Sequence, residues 1–223
     1  MYTITNKCII LDLDQTLVST SDNEDGELFH TFGLNDYAKY RHILTRCYYL
    51  FLEDHKCPGI GSSYPIWGIK RPNLDEFLTF CFKYFKLVIV WSAGQRCYVD
   101  LIIKNIFKNH PKPHLSFAYD FVDHVNGSPI KSIPKLIRHV KEEYPQYANY
   151  ITLENTFEVD DIHTNFTENP CNGILIPEYD PKRTIAGLEK NDTALQNIMD
   201  WLSTDEVKHA KDVRKLNKTN IFT

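Results

Sequence analysis

The chain has 223 residues, 43% of them hydrophobic, enough apolar material for one well-filled core. Its 25 basic and 29 acidic side chains leave a formal charge of −4, which excludes an overall basic footprint for nucleic acid. No apolar run is long enough to span a membrane, and residues 1–7 lack the pattern of a secretory leader, so an intracellular protein is expected. Six cysteines without metal-type spacing point to a reducing compartment, with Cys8, Cys81 and Cys97 as small core residues.

In chain order, Cys8-Ile9-Ile10-Leu11 is the pattern of a strand buried on both faces of a parallel sheet. It runs into Asp12-Leu13-Asp14-Gln15-Thr16. Residues i and i+2 of a strand point the same way, so Asp12 and Asp14 are predicted to face one crevice at the sheet's carboxyl end, where ligands of open α/β folds bind. Two carboxylates that close call for a cation or a shared proton. Residues 19–26 are polar and acidic and read as a loop. Residues 27–66 are aromatic-rich, with one strand expected over 48–52 and a turn over 57–63. They are too long for a simple βα connection and too apolar for disorder. Residues 19–66 therefore read as a small insertion, either a flap over the site or an insert packed on the core edge.

Regular α/β order resumes at Ile69. Asn73, with Glu76 three residues on, is the expected helix cap, followed by Leu74, Phe77, Leu78, Cys81 and Phe85 at helical spacing. Residues 87–91 form a second buried strand ending in Ser92-Ala93-Gly94, with a helix predicted over 96–107. A hydroxyl and free backbone N–H groups before a helix make an anion site, although Ser92 taken alone reads as a cap. A strand is expected over 117–122 and a turn at Asn126-Gly127-Ser128. Ser132 with Pro134 starts a helix to about residue 144, with Lys131 just before it and Lys135 as the alternative cation. Thr156-Phe157-Glu158-Val159 leads into Asp160-Asp161, and Ile151-Thr152-Leu153-Glu154-Asn155 is the competing placement of an acidic strand end. Paired carboxylates suit Mg²⁺ better than Glu-Asn does. Asn191-Asp192-Thr193 caps a last helix carrying Leu195, Ile198, Met199, Trp201 and Leu202. Residues 1–203 are expected to form one domain, and 204–223 a solvated tail.

The run Asp12-Leu13-Asp14-Gln15-Thr16-Leu17-Val18 resembles the first motif of the haloacid dehalogenase superfamily, in the form carried by the RNA polymerase II C-terminal-domain phosphatases. Lys70-Arg71-Pro72-Asn73-Leu74-Asp75-Glu76-Phe77-Leu78 is similar to a segment of the small members of that branch. Trp91-Ser92-Ala93-Gly94 through Tyr98-Val99-Asp100 resembles their second motif, with serine in place of threonine. Lys131 stands where the third-motif lysine falls. Counting back from Asn169-Pro170-Cys171-Asn172-Gly173 makes Asp160-Asp161 the fourth motif. The resemblance implies a Rossmann-like α/β domain, a parallel sheet flanked by helices with a small insertion after the first strand. It implies a Mg²⁺-dependent phosphatase acting through an aspartyl-phosphate. Asp12 would be the nucleophile, Asp14 the general acid and base, and Thr16 a positioning residue. Ser92 and Lys131 would hold the transferring phosphate, with Ala93 and Tyr98 also at the substrate. Mg²⁺ would sit among Asp12, the Asp14 carbonyl, Asp160 and Asp161. The implied substrate is phosphoserine or phosphothreonine in a proline-containing protein segment of the RNA polymerase II tail type. The alternatives are a nucleic-acid 3′-phosphatase, a small-molecule phosphatase and a non-catalytic binding protein on the same fold.

Overall fold

The computed structural model describes residues 4–21, 38–53, 63–125 and 127–223. In chain order the elements are β1 (Cys8–Leu11), β2 (Val18–Ser21), α1 (Arg41–Leu44), β3 (Cys47–Glu53), β4 (Ser63–Lys70), α2 (Leu74–Tyr84), β5 (Leu87–Trp91) and α3 (Arg96–Ile106). Then come β6 (Leu115–Phe117), β7 (Asp123–Val125), β8 (Ser128–Ile130), α4 (Ile133–Glu143), β9 (Thr156–Asp160), β10 (Gly173–Leu175), α5 (Ile185–Glu189), α6 (Ala194–Leu202) and α7 (Asp205–His209).

The central sheet is parallel, in the order β10-β9-β1-β5-β6. Every residue of β1, β5 and β9 is buried, which explains why β1 and β5 read as unbroken apolar runs. Alternation sorts the side chains between two cores. Ile9, Leu11, Val88, Val90, Phe157 and Val159 join α2, α3 and α6 on one face. Cys8, Ile10, Ile89 and Trp91 meet Ile133, Leu136 and Val140 of α4 on the other. Each of those helix side chains contributes roughly 1.5–3 kcal/mol by leaving water, enough to dock a helix whose outer face is charged. The α/β architecture is the one expected from the sequence.

The insertion contributes a second sheet, antiparallel and ordered β2-β4-β3. It continues directly from the Asp12–Thr16 turn. Tyr48 lies opposite Gly68, where a Cβ atom would come within 2.3 Å of the Tyr48 ring, so only glycine lets that phenol fold across the strand. The expected strand over 48–52 is found, one residue longer at each end. Of the expected turn over 57–63, residues 57–62 lie outside the described residues and Ser63 begins β4.

Three expectations need correction. Asn73 is left-handed (φ 63°) and makes no capping bond with its side chain; it turns the chain after Pro72 instead of capping α2. The strand expected over 117–122 is β6, three residues ending at Phe117, because the Tyr119 N–H turns away to the Gly94 carbonyl (2.9 Å) and a 3₁₀ turn follows. Within the expected capping segment before α6, Asp192 supplies the bond, accepting the Ala194 N–H (3.1 Å). The segment 204–223 is not a solvated tail: Val207, Val213 and Ile221 enter the main core. Lys218 donates to the Cys171 and Val213 carbonyls, and the Lys208 carbonyl accepts from Lys7 (2.8 Å). Its apolar residues are too widely spaced among charges to show a period. Among the described residues no helix is long and apolar enough to cross a membrane, and Cys8, Cys47, Cys81, Cys97 and Cys171 form no disulfide.

Candidate active site

The strand register brings the motifs together. Leu11, the last residue of β1, lies opposite Val90 of β5 and Val159 of β9. Asp12, Trp91-Ser92 and Asp160-Asp161 therefore leave the sheet at the same level, at its carboxyl edge. Past Asp12 the chain reverses sharply. The Leu17 and Val18 N–H groups both donate to the Leu13 carbonyl, and Gln15 is forced to a left-handed φ of 57°. That conformation costs a non-glycine residue about 1–2 kcal/mol. The fully buried Arg71 offsets it. Its guanidinium donates to the Thr16 carbonyl (3.0 Å), the Pro177 carbonyl (2.7 Å) and both carboxylate oxygens of Asp192 (2.9 Å each).

Lys131 is the hub of the site. Its buried ammonium donates to Asp12 Oδ1 (2.7 Å) and Asp160 Oδ2 (2.5 Å). Burial alone would lower its pKa, but Asp12, Asp160 and Glu158 outweigh that and hold the ammonium charged, above the usual lysine range. Burial pushes Asp12 well above the usual carboxylate range, with Lys131 pulling the other way. Burial also raises Asp14 and Asp161, and Asp160 adds to the rise at Asp161.

One carboxylate oxygen each from Asp12, Asp160 and Asp161 lies within 4.8 Å of the others. This cluster outweighs the single ammonium and offers hard oxygen donors, so it fits a small divalent cation. The three are not equivalent. Asp160 already accepts from the Ile162 N–H (2.8 Å), Asn165 (2.8 Å) and Lys131. Asp161 accepts only the Thr16 hydroxyl (3.1 Å) among the hydrogen bonds described for its side chain, and it keeps room for a cation.

Asp14 has a different neighbourhood. The Tyr98 hydroxyl donates to its carboxylate and also lies 2.8 Å from Thr20 Oγ1, which is 2.6 Å from the Tyr48 hydroxyl. Three hydroxyls thus connect the flap to Asp14. Beside them opens a cavity of about 420 Å³, with Leu52, Tyr64 and Ile66 of the flap on one wall, Gly94 and Tyr98 on the other, and Asp14 at its edge. Ser92 is buried, and its oxygen accepts the Gly94 N–H (3.0 Å), which leaves the hydroxyl proton to donate. Ala93 is exposed on the same turn. A Cβ at Gly94 would meet the Tyr98 ring at 2.7 Å, so glycine is required for this close approach.

The site therefore gathers Asp12, Asp14, Thr16, Ser92, Ala93, Tyr98, Lys131, Asp160 and Asp161. Two alternatives fall elsewhere. Lys135 pairs with Asp123 (2.8 Å) and lies over the Phe121 ring. Glu154 pairs with Arg214 (2.9 Å), before β9 and away from its carboxyl end. Sequence reasoning gave no role to Arg71, Thr20, Tyr48, Asn165 or Asn169. Glu158 did carry a signal, as a charge inside the strand that leads into Asp160-Asp161.

A parallel sheet flanked by helices, with clustered carboxylates and a lysine at its carboxyl edge, defines a haloacid dehalogenase-type scaffold. The chain belongs to the NLI interacting factor-like phosphatase family, whose family model matches residues 7–214. It is 28% identical to the putative CTD phosphatase-like protein 355R of Invertebrate iridescent virus 3, over 89% of this chain and 96% of that protein. It is 30% identical to the ubiquitin-like domain-containing CTD phosphatase 1 of Danio rerio over 57% of this chain, but spans only 39% of that protein's length. Among solved structures it resembles a variant of the fission yeast RNA polymerase II CTD phosphatase Fcp1 bound to beryllium fluoride. That match has a TM-score of 0.56 and 19% identity, over 89% of this chain and 50% of that one, a likeness of fold.

Proposed function

We propose that this protein is a Mg²⁺-dependent phosphatase that acts through an aspartyl-phosphate, on phosphoserine or phosphothreonine in a protein. The observation that carries the proposal is the buried Asp12 carboxylate, bonded to Lys131 at 2.7 Å and grouped with Asp160 and Asp161. A free carboxylate oxygen of Asp12 attacks phosphorus in line with the leaving serine or threonine oxygen, and the P–O bond to that oxygen breaks. Asp14, raised by burial, donates a proton to the departing alkoxide and then takes one from the water that cleaves the acyl-phosphate. Lys131 and the Ser92 hydroxyl hold the transferring oxygens, where charge develops. Thr16 orients Asp161 through its hydroxyl. Asp12, Asp161 and the Asp14 carbonyl would hold Mg²⁺, with Asp160 fixing Lys131 beside them. When bound, that cation offsets repulsion between the nucleophile and the phosphate dianion.

The cavity supports this substrate class. The flap covers one side and leaves it open, which suits an extended peptide better than an enclosed metabolite. Tyr64, Ile66 and Tyr98 can seat a proline ring, and a proline-rich segment loses little entropy on docking. The names of the relatives favour an RNA polymerase II tail-like phosphoprotein, in a reducing intracellular compartment.

Two measurements test this. Hydrolysis of p-nitrophenyl phosphate should require Mg²⁺ and vanish in Asp12→Asn; turnover that survives EDTA or the substitution refutes the mechanism. A phosphoserine-proline peptide should then be preferred over a 3′-phosphorylated oligonucleotide. If the oligonucleotide wins by tenfold, about 1.4 kcal/mol in the transition state, the nucleic-acid alternative replaces the protein substrate.

A further inference from the structure

Lys131 is buried but lies between the short β7–β8 hairpin and α4, and not on the central sheet. Something must hold it against Asp12 and Asp160. The segment 165–169 does so at three points. The Lys131 N–H donates to the Asn165 carbonyl (3.2 Å), the Ser132 hydroxyl bonds the Glu168 carboxylate, and the Ile133 N–H donates to Asn169 Oδ1 (2.9 Å). Asn165 also binds Asp160 directly (2.8 Å).

That segment is itself anchored by an unusual residue. Glu158 lies mid-strand in β9, 1% exposed, and points to the same face as Asp160. Its Oε2 accepts from Asn169 Nδ2 (2.7 Å), while its Oε1 has no hydrogen-bond partner among the described residues. A buried carboxyl with one oxygen unpaired costs stability, and an isosteric apolar residue would spare that cost. Packing therefore does not account for Glu158.

We infer that Glu158 and Asn169 form a relay that positions Lys131 for phosphoryl transfer. Glu158 fixes the Asn169 amide from the rigid sheet. Asn169 in turn fixes the first N–H of α4, and so the residues before it. Neither residue touches the reacting groups. The inference rests on the proposed phosphatase mechanism for its kinetic consequence, but the placement of Lys131 can be measured without it.

The test combines kinetics with ¹⁵N detection of the Lys131 ammonium, assigned by its loss in Lys131→Met. Glu158→Leu and Asn169→Ala should each lower kcat about 10–100-fold, the range for losing an orienting partner, with KM little changed. The double variant should be no worse than the poorer single one, since both break one relay. Glu158→Gln should restore wild-type kcat within about threefold, because its side-chain carbonyl still accepts the Asn169 N–H. The ammonium resonance should broaden in Glu158→Leu and Asn169→Ala and stay sharp in Glu158→Gln, where only the lost charge near Lys131 shifts it. A folded Glu158→Leu with wild-type kcat and an unbroadened ammonium signal overturns the relay, as does a Glu158→Gln as impaired as Glu158→Leu. If Glu158→Leu does not fold, Asn169→Ala carries the same two readouts. If the wild type hydrolyses no phosphate ester, the phosphatase reading fails and the ammonium signal alone decides the relay.

Discussion

Replacing Arg71 by lysine probes how the Asp12–Thr16 loop is held. The guanidinium is fully buried and makes four hydrogen bonds, two to Asp192 and one each to the Thr16 and Pro177 carbonyls. Lysine keeps the charge but brings one nitrogen where arginine brings a planar fork. It cannot reach both oxygens of Asp192 and both carbonyls from one point, so at least two of the four bonds are lost. Hydrogen bonds to a charged group contribute roughly 1.5–3 kcal/mol each, which puts the loss at about 3–6 kcal/mol. For a chain of this size that is a fall in Tm of roughly 6–24 °C. Activity should fall further than stability alone dictates, because the freed Thr16 carbonyl belongs to the loop whose hydroxyl orients Asp161. Thermal unfolding and kcat, measured well below the variant's Tm, check both parts. An Arg71→Lys protein that melts with the wild type and turns over at the same rate would refute the claim that Arg71 braces the loop.

Three further outcomes are expected. Asp161→Ala should weaken Mg²⁺ activation at least tenfold in a titration of turnover, whereas Glu154→Ala, in its ion pair with Arg214, should leave it unchanged. Gly94→Val should displace the Tyr98 ring, which lies 2.7 Å from the added Cβ position, and free Asp14 from its tyrosine. A drop in kcat/KM of about tenfold or more with little change in Tm is the sign of this. Burial lowers the His114 pKa, and its Nδ1 accepts the Val88 N–H (3.1 Å). The unfolded chain therefore binds that proton more readily, and the folded state loses stability as pH falls below about 6.5. Urea midpoints compared above and below that pH should shift less in His114→Gln than in the wild type; equal shifts would exclude His114 as a contributor.

The sequence by itself determined the parallel sheet, because β1 and β5 are buried on both faces and must be apolar throughout. It also placed Asp12, Asp14, Ser92 and Asp160-Asp161 at strand ends, since a parallel sheet carries its ligand groups where strands run out. Lys131 stood out only through the family resemblance; taken alone it reads as a solvated lysine before a capped helix. What it left open depends on contacts between residues far apart in the chain. That Asp160 is already engaged by Lys131, Asn165 and the Ile162 N–H, while Asp161 accepts the Thr16 hydroxyl, shows only in the folded chain. Arg71 shows no role until Thr16, Pro177 and Asp192 converge on it. The flap could be read as wall or ornament until the pairing of β2 with β4 carried it straight on from the Asp12–Thr16 loop. Residues 204–223 look solvated in sequence because burial of Val207, Val213 and Ile221 follows no local period. Side-chain periodicity reports one element against one core; it carries no information on which distant groups share a buried charge.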